Sequence, residues 1–515
     1  MLRMLGVDGL DRSGRPLAAS MAERYCGSDR MRLARGVLLP FTIALHEYDC
    51  PAHELALDVA SGDVDLGMEA ALLERPDRLA TAEKAATGLI VAALARFDAN
   101  RTAAREMRDV LGLPDEPWLG VDLRATEAEA ASIEVRRLVG SGVDVIRVHV
   151  PASWEFAEAR RHAGLDTPDL FDSNSSRRKG KGQGRLHVGR LRPAQRGPAA
   201  DPAASAAAPL LPVPAGSQRG LAALRLVADQ ASAARGCYAS LMTITSAFAA
   251  PEQAVVAAFE RIDYVAADPM REIVEENVNP ERALADHAFA HRLQARAGSR
   301  VLMGAGPLAL GADLASGIPP DAATRSGRGL ALQALNVELA LADGLPADRI
   351  YLGAVPDWVA GEGSAARNAT TIVLEAWLRR LVFPGRKLVL SGTGAALATP
   401  GGIAGLVAAL AGGEASLVIG SGTMGSLGAA DLEAAASAAR ATRATLGDGR
   451  LHGAAAEFAD QTLQAASRAL DQLAAEGWES LLGPVGQGDS DERIGGSAVV
   501  ERADDRLSGA RFLTF

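Results

Sequence analysis

The chain has 515 residues, of which 48% are hydrophobic and 23% charged, with a formal net charge of −10 and a pI near 5.5. That length exceeds what one minimal core needs, and the acidic balance argues against a general binder of nucleic acid or of membrane surfaces. Three scattered cysteines, Cys26, Cys50 and Cys237, make neither a disulfide framework nor a zinc cluster, and no apolar run has the length of a membrane span or of a secretory leader, so a soluble cytoplasmic protein is expected.

Residues 1–115 read as an N-terminal helical region. PAHELALDVASGDVDLG (51–67) carries apolar residues at helical spacing and ends in a turn, and the stretch from Arg75 to Leu113 shows the helical period twice, in AEKAATGLIVAALARF and in RTAAREMRDVLGL.

Residues 116–446 alternate. Apolar runs rich in Val, Ile and Leu occur at Trp118–Thr126, Val143–Pro151, Tyr238–Thr245, Asp263–Met270, Arg300–Gly306, Arg349–Pro356, Lys387–Gly394 and Ala415–Ser421, and the segments between them carry helical periodicity. Strands that alternate with helices imply parallel βαβ units, and uniformly apolar strands imply a sheet covered on both faces. Eight units are the count of a closed (β/α)8 TIM barrel, so the fold class is α/β, with the N-terminal helical region before the barrel and a C-terminal helix plus Gly-rich tail in 447–515. An open α/β sheet with an extra domain is the alternative. The segment 172–216 combines a basic Gly-rich run with a Pro/Ala tract, and neither buries enough apolar surface to offset ordering; it reads as a disordered insertion after the second strand.

In such a barrel the working site lies at the C-terminal ends of the strands. The rule selects Arg124 and Thr126, then Arg147, His149 and Ser153, Thr245 and Ser246, Asp268 and Arg271, the Gly304–Gly306 turn, Asp357, and the small-residue loops SGTG (Ser391, Thr393) and GSGTMG (Ser421, Thr423). Small-residue loops after strands 7 and 8 suit phosphate binding through backbone N–H groups and hydroxyls, although Gly/Ser turns also join strands to helices for steric reasons alone. His287 and His291, at i and i+4, have metal-ligand spacing, but no Glu follows His287, and a surface or packing role on the outer helical layer fits them better. No residue is assigned as catalytic and none as a metal ligand. Only four lysines are present: Lys84 in the N-terminal region, Lys179 and Lys181 in the insertion, and Lys387 at the start of strand 7, the wrong end of the barrel for a Schiff base in the site.

RMLGVDGLD (3–11), PAHELALDVASGDVDL (51–66), SGVDVIRV (141–148), AFERIDYVAADPM (258–270), NVNPERALADHAFAHRLQARAG (277–298) and the closing GPVGQG and GGSAVV segments together resemble the α subunit of D-lysine 5,6-aminomutase, a TIM-barrel subunit of adenosylcobalamin- and pyridoxal-phosphate-dependent aminomutases. The resemblance implies a divergent member of an isomerase family that catalyses radical 1,2-amino migration on a small amino acid of the lysine or β-lysine type. It implies a hetero-oligomer with a smaller β subunit that carries the cobalamin-binding domain, the cobalt-ligating His and the Schiff-base Lys. The family's pyridine-nitrogen serine falls on Ser246. Its phosphate-binding Arg falls on Val150, so Arg147 or His149 would substitute; its stacking Tyr falls on Arg271, and a later Arg on Glu276. A non-catalytic or repurposed barrel that still pairs with a cobalamin-binding protein, or an unrelated TIM-barrel enzyme acting on a phosphorylated metabolite, remain the alternatives.

Overall fold

The computed structural model describes residues 2–7, 11, 17–26, 37–67, 75–114, 118–123, 125, 127–149, 218–244, 250–274, 280–304, 321–354, 375–393, 417–421 and 454–477. The N-terminal region is helical: α1 (Leu17–Cys26), α2 (Leu38–Tyr48), α3 (Ala52–Ser61) and α4 (Pro76–Leu111). Gly62, at φ +87°, closes α3 where the sequence places a turn. The two periodic stretches of 75–113 form one continuous 36-residue helix, α4, because no Pro or Gly pair interrupts the pattern after the N-terminal Pro76. Its apolar stripe, including Ile90, Leu94 and Phe97, is buried with Phe41, Leu55 and Phe259, and so ties the helical region to the barrel.

Eight strands follow: β1 (Trp118–Asp122), β2 (Val145–His149), β3 (Ser240–Ile244), β4 (Tyr264–Ala267), β5 (Arg300–Met303), β6 (Ile350–Ala354), β7 (Lys387–Thr393) and β8 (Leu417–Ser421). Each pairs in parallel with the next, and β8 pairs with β1, so the sheet closes and the open-sheet alternative falls. The helices described around it are α5 (Ala128–Gly140), α6 (Gln218–Arg235), α7 (Ala250–Phe259), the short α8 (Pro269–Val274), α9 (Pro280–Ala297), α10 (Ala322–Ala342), residues 375–382 and α11 (Ala454–Glu476). The insertion 172–216 and the tail after 477 lie outside the described residues.

The barrel interior holds Trp118, Val145, Met242, Tyr264, Leu302, Tyr351 and Val389. Their ring contacts are edge-on, Tyr264–Tyr351 at 5.4 Å and Trp118–Tyr264 at 6.3 Å between centroids, an arrangement that suits aromatic quadrupoles. The Arg300 guanidinium lies 5.2 Å from the Tyr264 ring centre and the Lys387 ammonium 5.3 Å from that of Trp118, so cations close the N-terminal foot of the barrel.

At that foot, two aspartates repeat one device. Asp144, just before β2, accepts the Leu119 N–H at 2.9 Å, and Asp263, just before β4, accepts the Leu241 N–H at 3.0 Å. Each carboxylate also meets a guanidinium, Arg235 at 2.6 Å and Arg225 at 3.1 Å respectively. Buried charges persist only when paired and hydrogen-bonded in this way. The C-terminal helix α11 lays a buried stripe, Ala459, Thr462, Ala465, Ala466 and Ala469, against α10 over Gly327, whose hydrogen occupies a position where a Cβ would sit 2.5 Å from the Thr462 carbonyl oxygen.

Candidate functional site

Residues alternate between the two faces of a strand, so the inward set that begins at Trp118 continues through Gly120 to Asp122, and the set that begins at Val145 continues to Arg147. Asp122 and Arg147 are register partners across β1 and β2. Arg147, only 6% exposed, donates from Nε to Asp122 Oδ1 and from Nη2 to Oδ2 at 2.8 Å, a two-pronged ion pair inside the barrel toward the C-terminal ends of the strands. Arg147 therefore reaches the interior, as the strand-end rule requires, but its guanidinium already serves a carboxylate that sequence reasoning did not single out.

The ends of β4, β5 and β6 are held by amide side chains from α10. Asn336 Nδ2 donates to Asp268 Oδ1 at 2.7 Å and to the Gly304 carbonyl at 3.3 Å, while its Oδ1 accepts the Met270 N–H at 3.1 Å. Gln333 Nε2 donates to the Met303 and Gly353 carbonyls at 2.9 and 2.8 Å. Arg379, buried and paired with Glu375, adds a 3.2 Å bond to the Gly353 carbonyl, and the Ser326 hydroxyl donates to the same Glu375. Gly304 is needed for this approach: a Cβ there would lie 3.0 Å from Asp268 Oδ2. The Met303, Gly304 and Gly353 carbonyls are thus engaged by side chains of the outer helices.

Arg271 lies in α8, past the end of β4, and is exposed; its backbone N–H meets Asp268 Oδ1 at 3.2 Å. The buried Arg147 and the exposed Arg271 do not share one environment. His149, Ser391, Thr393 and Ser421 lie in strands, with Thr393 and Ser421 as register partners, and their side chains are outside the described set. Ser246, Thr423, Arg124, Thr126, Ser153 and Asp357 lie outside the described residues altogether.

His287 and His291 correct the surface reading: both are buried on α9. His287 Nε2 lies 3.0 Å from Glu272 Oε1, and His291 Nδ1 lies 2.8 Å from Asp343 Oδ2. Burial opposes charge on His287, but Glu272, with Asp286 and Asp268 behind it, outweighs burial and raises its pKa; on His291 burial prevails over Asp343, aided by the neighbouring His287, and the pKa is lowered. Their other ring nitrogens lack protein partners, and no group of three metal-binding side chains occurs among the described residues. Both histidines are packing residues with carboxylate anchors.

Of the lysines, Lys84 is in α4 and Lys387 sits at the foot of the barrel over Trp118; neither described lysine reaches the strand C-termini. No described helix is long and apolar enough to cross a membrane.

No curated protein matches the chain. Among solved structures, Yersinia pestis DHPS with a pterine-sulfa conjugate is similar at 14% identity and a TM-score of 0.33, over 64% of this chain and 94% of that one. Wild-type Plasmodium falciparum HPPK-DHPS with pteroate is similar at 10% identity and a TM-score of 0.31, over 62% of this chain and 47% of that one. Both likenesses are too distant to bear on function. Residues 215–387, about a third of the chain, match the family model of the D-lysine 5,6-aminomutase TIM-barrel domain of the alpha subunit.

Proposed function

We propose that the chain is the barrel (α-type) subunit of an aminomutase-like isomerase that works with a cobalamin-binding partner on a small amino acid of the lysine or β-lysine type, with residues 116–446 as its barrel unit. The observation that carries this reading is the family match over 215–387, which runs from α6 to the start of β7 in a sheet of eight parallel strands closed on itself. The position of the described lysines supports it. A pyridoxal phosphate enzyme needs a lysine aimed at the cofactor, and Lys84 and Lys387 are elsewhere, so the partner subunit would supply that group.

The described residues do not by themselves make a cradle for pyridoxal phosphate. They place two buried cations toward the mouth, Arg147 and Arg379, and Asp122 and Glu375 already match their charges. The remaining phosphate or ring contacts of the proposal, Ser246, His149, Arg271, Ser391, Thr393, Ser421 and Thr423, would have to complete the set. The Asp122–Arg147 pair also favours a second reading, a repurposed barrel that keeps the partner and not the lysine chemistry.

The test is co-expression with a cobalamin-domain protein that carries a candidate Schiff-base lysine, followed by gel filtration, cofactor absorbance with added pyridoxal phosphate and cobalamin, and turnover of lysine, β-lysine and ornithine. The proposal expects a stable complex that retains both cofactors and turns over one substrate, with Ser246→Ala weakening pyridoxal phosphate retention. A complex without turnover selects the repurposed barrel, and no complex at all refutes both.

A further inference from the structure

The foot of the barrel holds a second polar cleft, at the opposite end from the strand C-termini. It lies where α4 crosses the segments that lead into β4 and β5, is shallow and open to solvent, with an enclosed volume of about 10 Å³, and is lined by Asn100, Arg101, Arg108, Arg261, Gly298 and Ser299. Arg349 adjoins it: its Nη1 is 4.0 Å from the position a Cβ on Gly298 would take.

Charge around this cleft is unbalanced. Asp98 is shared by Arg101 at 3.7 Å and Arg296 at 2.7 Å; Asp229 by Arg225 and Arg261; Asp263 by Arg225 at 3.1 Å and Arg108 at 3.7 Å. Five guanidinium groups therefore meet three carboxylates, and Arg349 adds another cation, with Asp348 beside it in sequence. Burial is the main cause that lowers the Arg349 pKa; Asp348 opposes it, and the like charges of Arg101, Arg300 and Arg108 add to it.

The donors are also fixed in place. Arg101 Nη1 donates to the Arg296 carbonyl at 2.9 Å, Arg349 Nη1 to the Ala295 carbonyl at 2.7 Å, and Asn100 Nδ2 to the Phe259 carbonyl at 2.7 Å, so the ends of α7 and α9 hold these arms around the opening. Arg261 has a left-handed backbone, φ +54°, one of two such non-glycine residues among those described. Strain of this kind persists where surrounding contacts require a particular placement, here the Arg261–Asp229 bond at the cleft wall.

We propose that the opening of this cleft binds a compact oxyanion of the phosphate class, free or as the terminal group of a phosphomonoester, with Arg101, Arg108, Arg261 and Arg349 as its cationic wall; Asn100 and Ser299 shape the floor, their donors being taken by the Ala258, Phe259 and Ile262 carbonyls. Converging guanidinium groups with a net positive balance are the side-chain chemistry that recognises phosphate oxygens. The site stands whether or not the barrel is an aminomutase, because it lies at the other end of the strands.

The test uses the full chain and inorganic phosphate, with sodium chloride at matched ionic strength as the control, read by titration calorimetry and by ³¹P line broadening. Saturable phosphate binding is expected, weakened about tenfold or more in Arg101→Gln and in Arg349→Gln and unchanged in Arg75→Gln, an exposed arginine at the other end of α4. Arg101 is on an exposed stretch of α4, so its variant keeps the fold even where Arg349→Gln fails to; circular dichroism checks both. Binding that chloride reproduces, that both foot variants retain, or that Arg75→Gln abolishes overturns the assignment. If phosphate binds, glycerol phosphate and pyrophosphate in the same titration separate a free ion from a phosphomonoester as the preferred form.

Discussion

Two glycine-to-alanine substitutions in helices should have opposite signs. Gly88 is exposed in α4 with nothing within 4 Å of the position its Cβ would take, whereas Gly327 is buried in α10, where a Cβ would lie 2.5 Å from the Thr462 carbonyl oxygen, 2.6 Å from Ala465 Cβ and 2.9 Å from the Ala466 nitrogen. Helix propensity favours alanine at both sites by about 1 kcal/mol. At Gly88 nothing opposes it, so Gly88→Ala stabilises by that amount. At Gly327 two of the three close atoms belong to backbone and cannot rotate away; α11 must retreat by roughly 1 Å, and overpacking of this kind costs about 1–3 kcal/mol. Packing therefore outweighs propensity, and Gly327→Ala destabilises the α10–α11 contact. Hydrogen exchange is the suitable assay, because the effect is local. Amides of α11 should lose protection in Gly327→Ala, while those of α4 gain it in Gly88→Ala. Unchanged or increased protection of α11 would refute the packing argument. The contact matters beyond α11, because α10 also carries Gln333 and Asn336, which hold the ends of β4, β5 and β6.

Asp263→Asn leaves Arg225 buried beside one carboxylate instead of two and weakens acceptance from Tyr238 and Leu241, so a stability loss of about 3 kcal/mol is expected, read from unfolding in guanidinium chloride. His287 has a raised folded pKa, so its contribution to stability is full below its ordinary value of 6.5 and is lost as pH rises through the raised value; His287→Gln should flatten the melting-temperature profile on that alkaline side. His291 has a lowered folded pKa, so stability falls as pH drops from 6.5 through the lowered value, and His291→Gln should flatten the acid side; profiles that move together would contradict the opposite shifts. Asp122→Asn removes the charge that holds Arg147. If Arg147 contacts phosphate, pyridoxal phosphate affinity should rise even as the melting temperature falls, and a fall in both would assign the pair to structure alone.

The strands were legible because each is a short Val/Ile/Leu run bounded by Gly, Pro or Ser, and a buried parallel sheet leaves that mark. The continuity of α4 was less so: two periodic stretches look the same whether a bend separates them or not, and only packing on Phe259 and the α9 side settles it. A packing role for His287 and His291 was legible, but their burial and their partners were not, since sequence gives spacing but not burial, and the anchors Glu272 and Asp343 lie 15 and 52 residues away. The foot aspartates carried a readable signal in hindsight: Val143-Asp144-Val145-Ile146 and Ile262-Asp263-Tyr264-Val265 share one pattern, an acid between apolar residues at a strand start. Asp122 had a signal too, since counting by two from Trp118 puts it inside. Asn336 and Gln333 had none, because a helix amide that reaches a strand end looks like any surface amide until the helix is docked.

Charge is distributed differently at the two ends of the barrel, and this bears on which reading of the mouth is right. Toward the mouth, Asp122 and Arg147 cancel, and Asp268 at the end of β4, held by Asn336, adds no cation. A dianionic phosphate brought beside that pair would face the Asp122 carboxylate as well as the guanidinium, and in a low-dielectric interior the repulsion is as strong as the attraction at equal distance. A zwitterion meets no such penalty: its carboxylate and ammonium can approach Arg147 and Asp122 respectively without leaving a net charge buried. The pair is thus better matched to the two ends of an amino acid than to a phosphate, which argues against Arg147 as the phosphate contact of the proposed function. At the foot, five arginines share three carboxylates and the surplus is cationic. An anion that enters there relieves repulsion instead of creating it, so the two ends of one barrel favour different ligands, a zwitterion at the mouth and an anion at the foot.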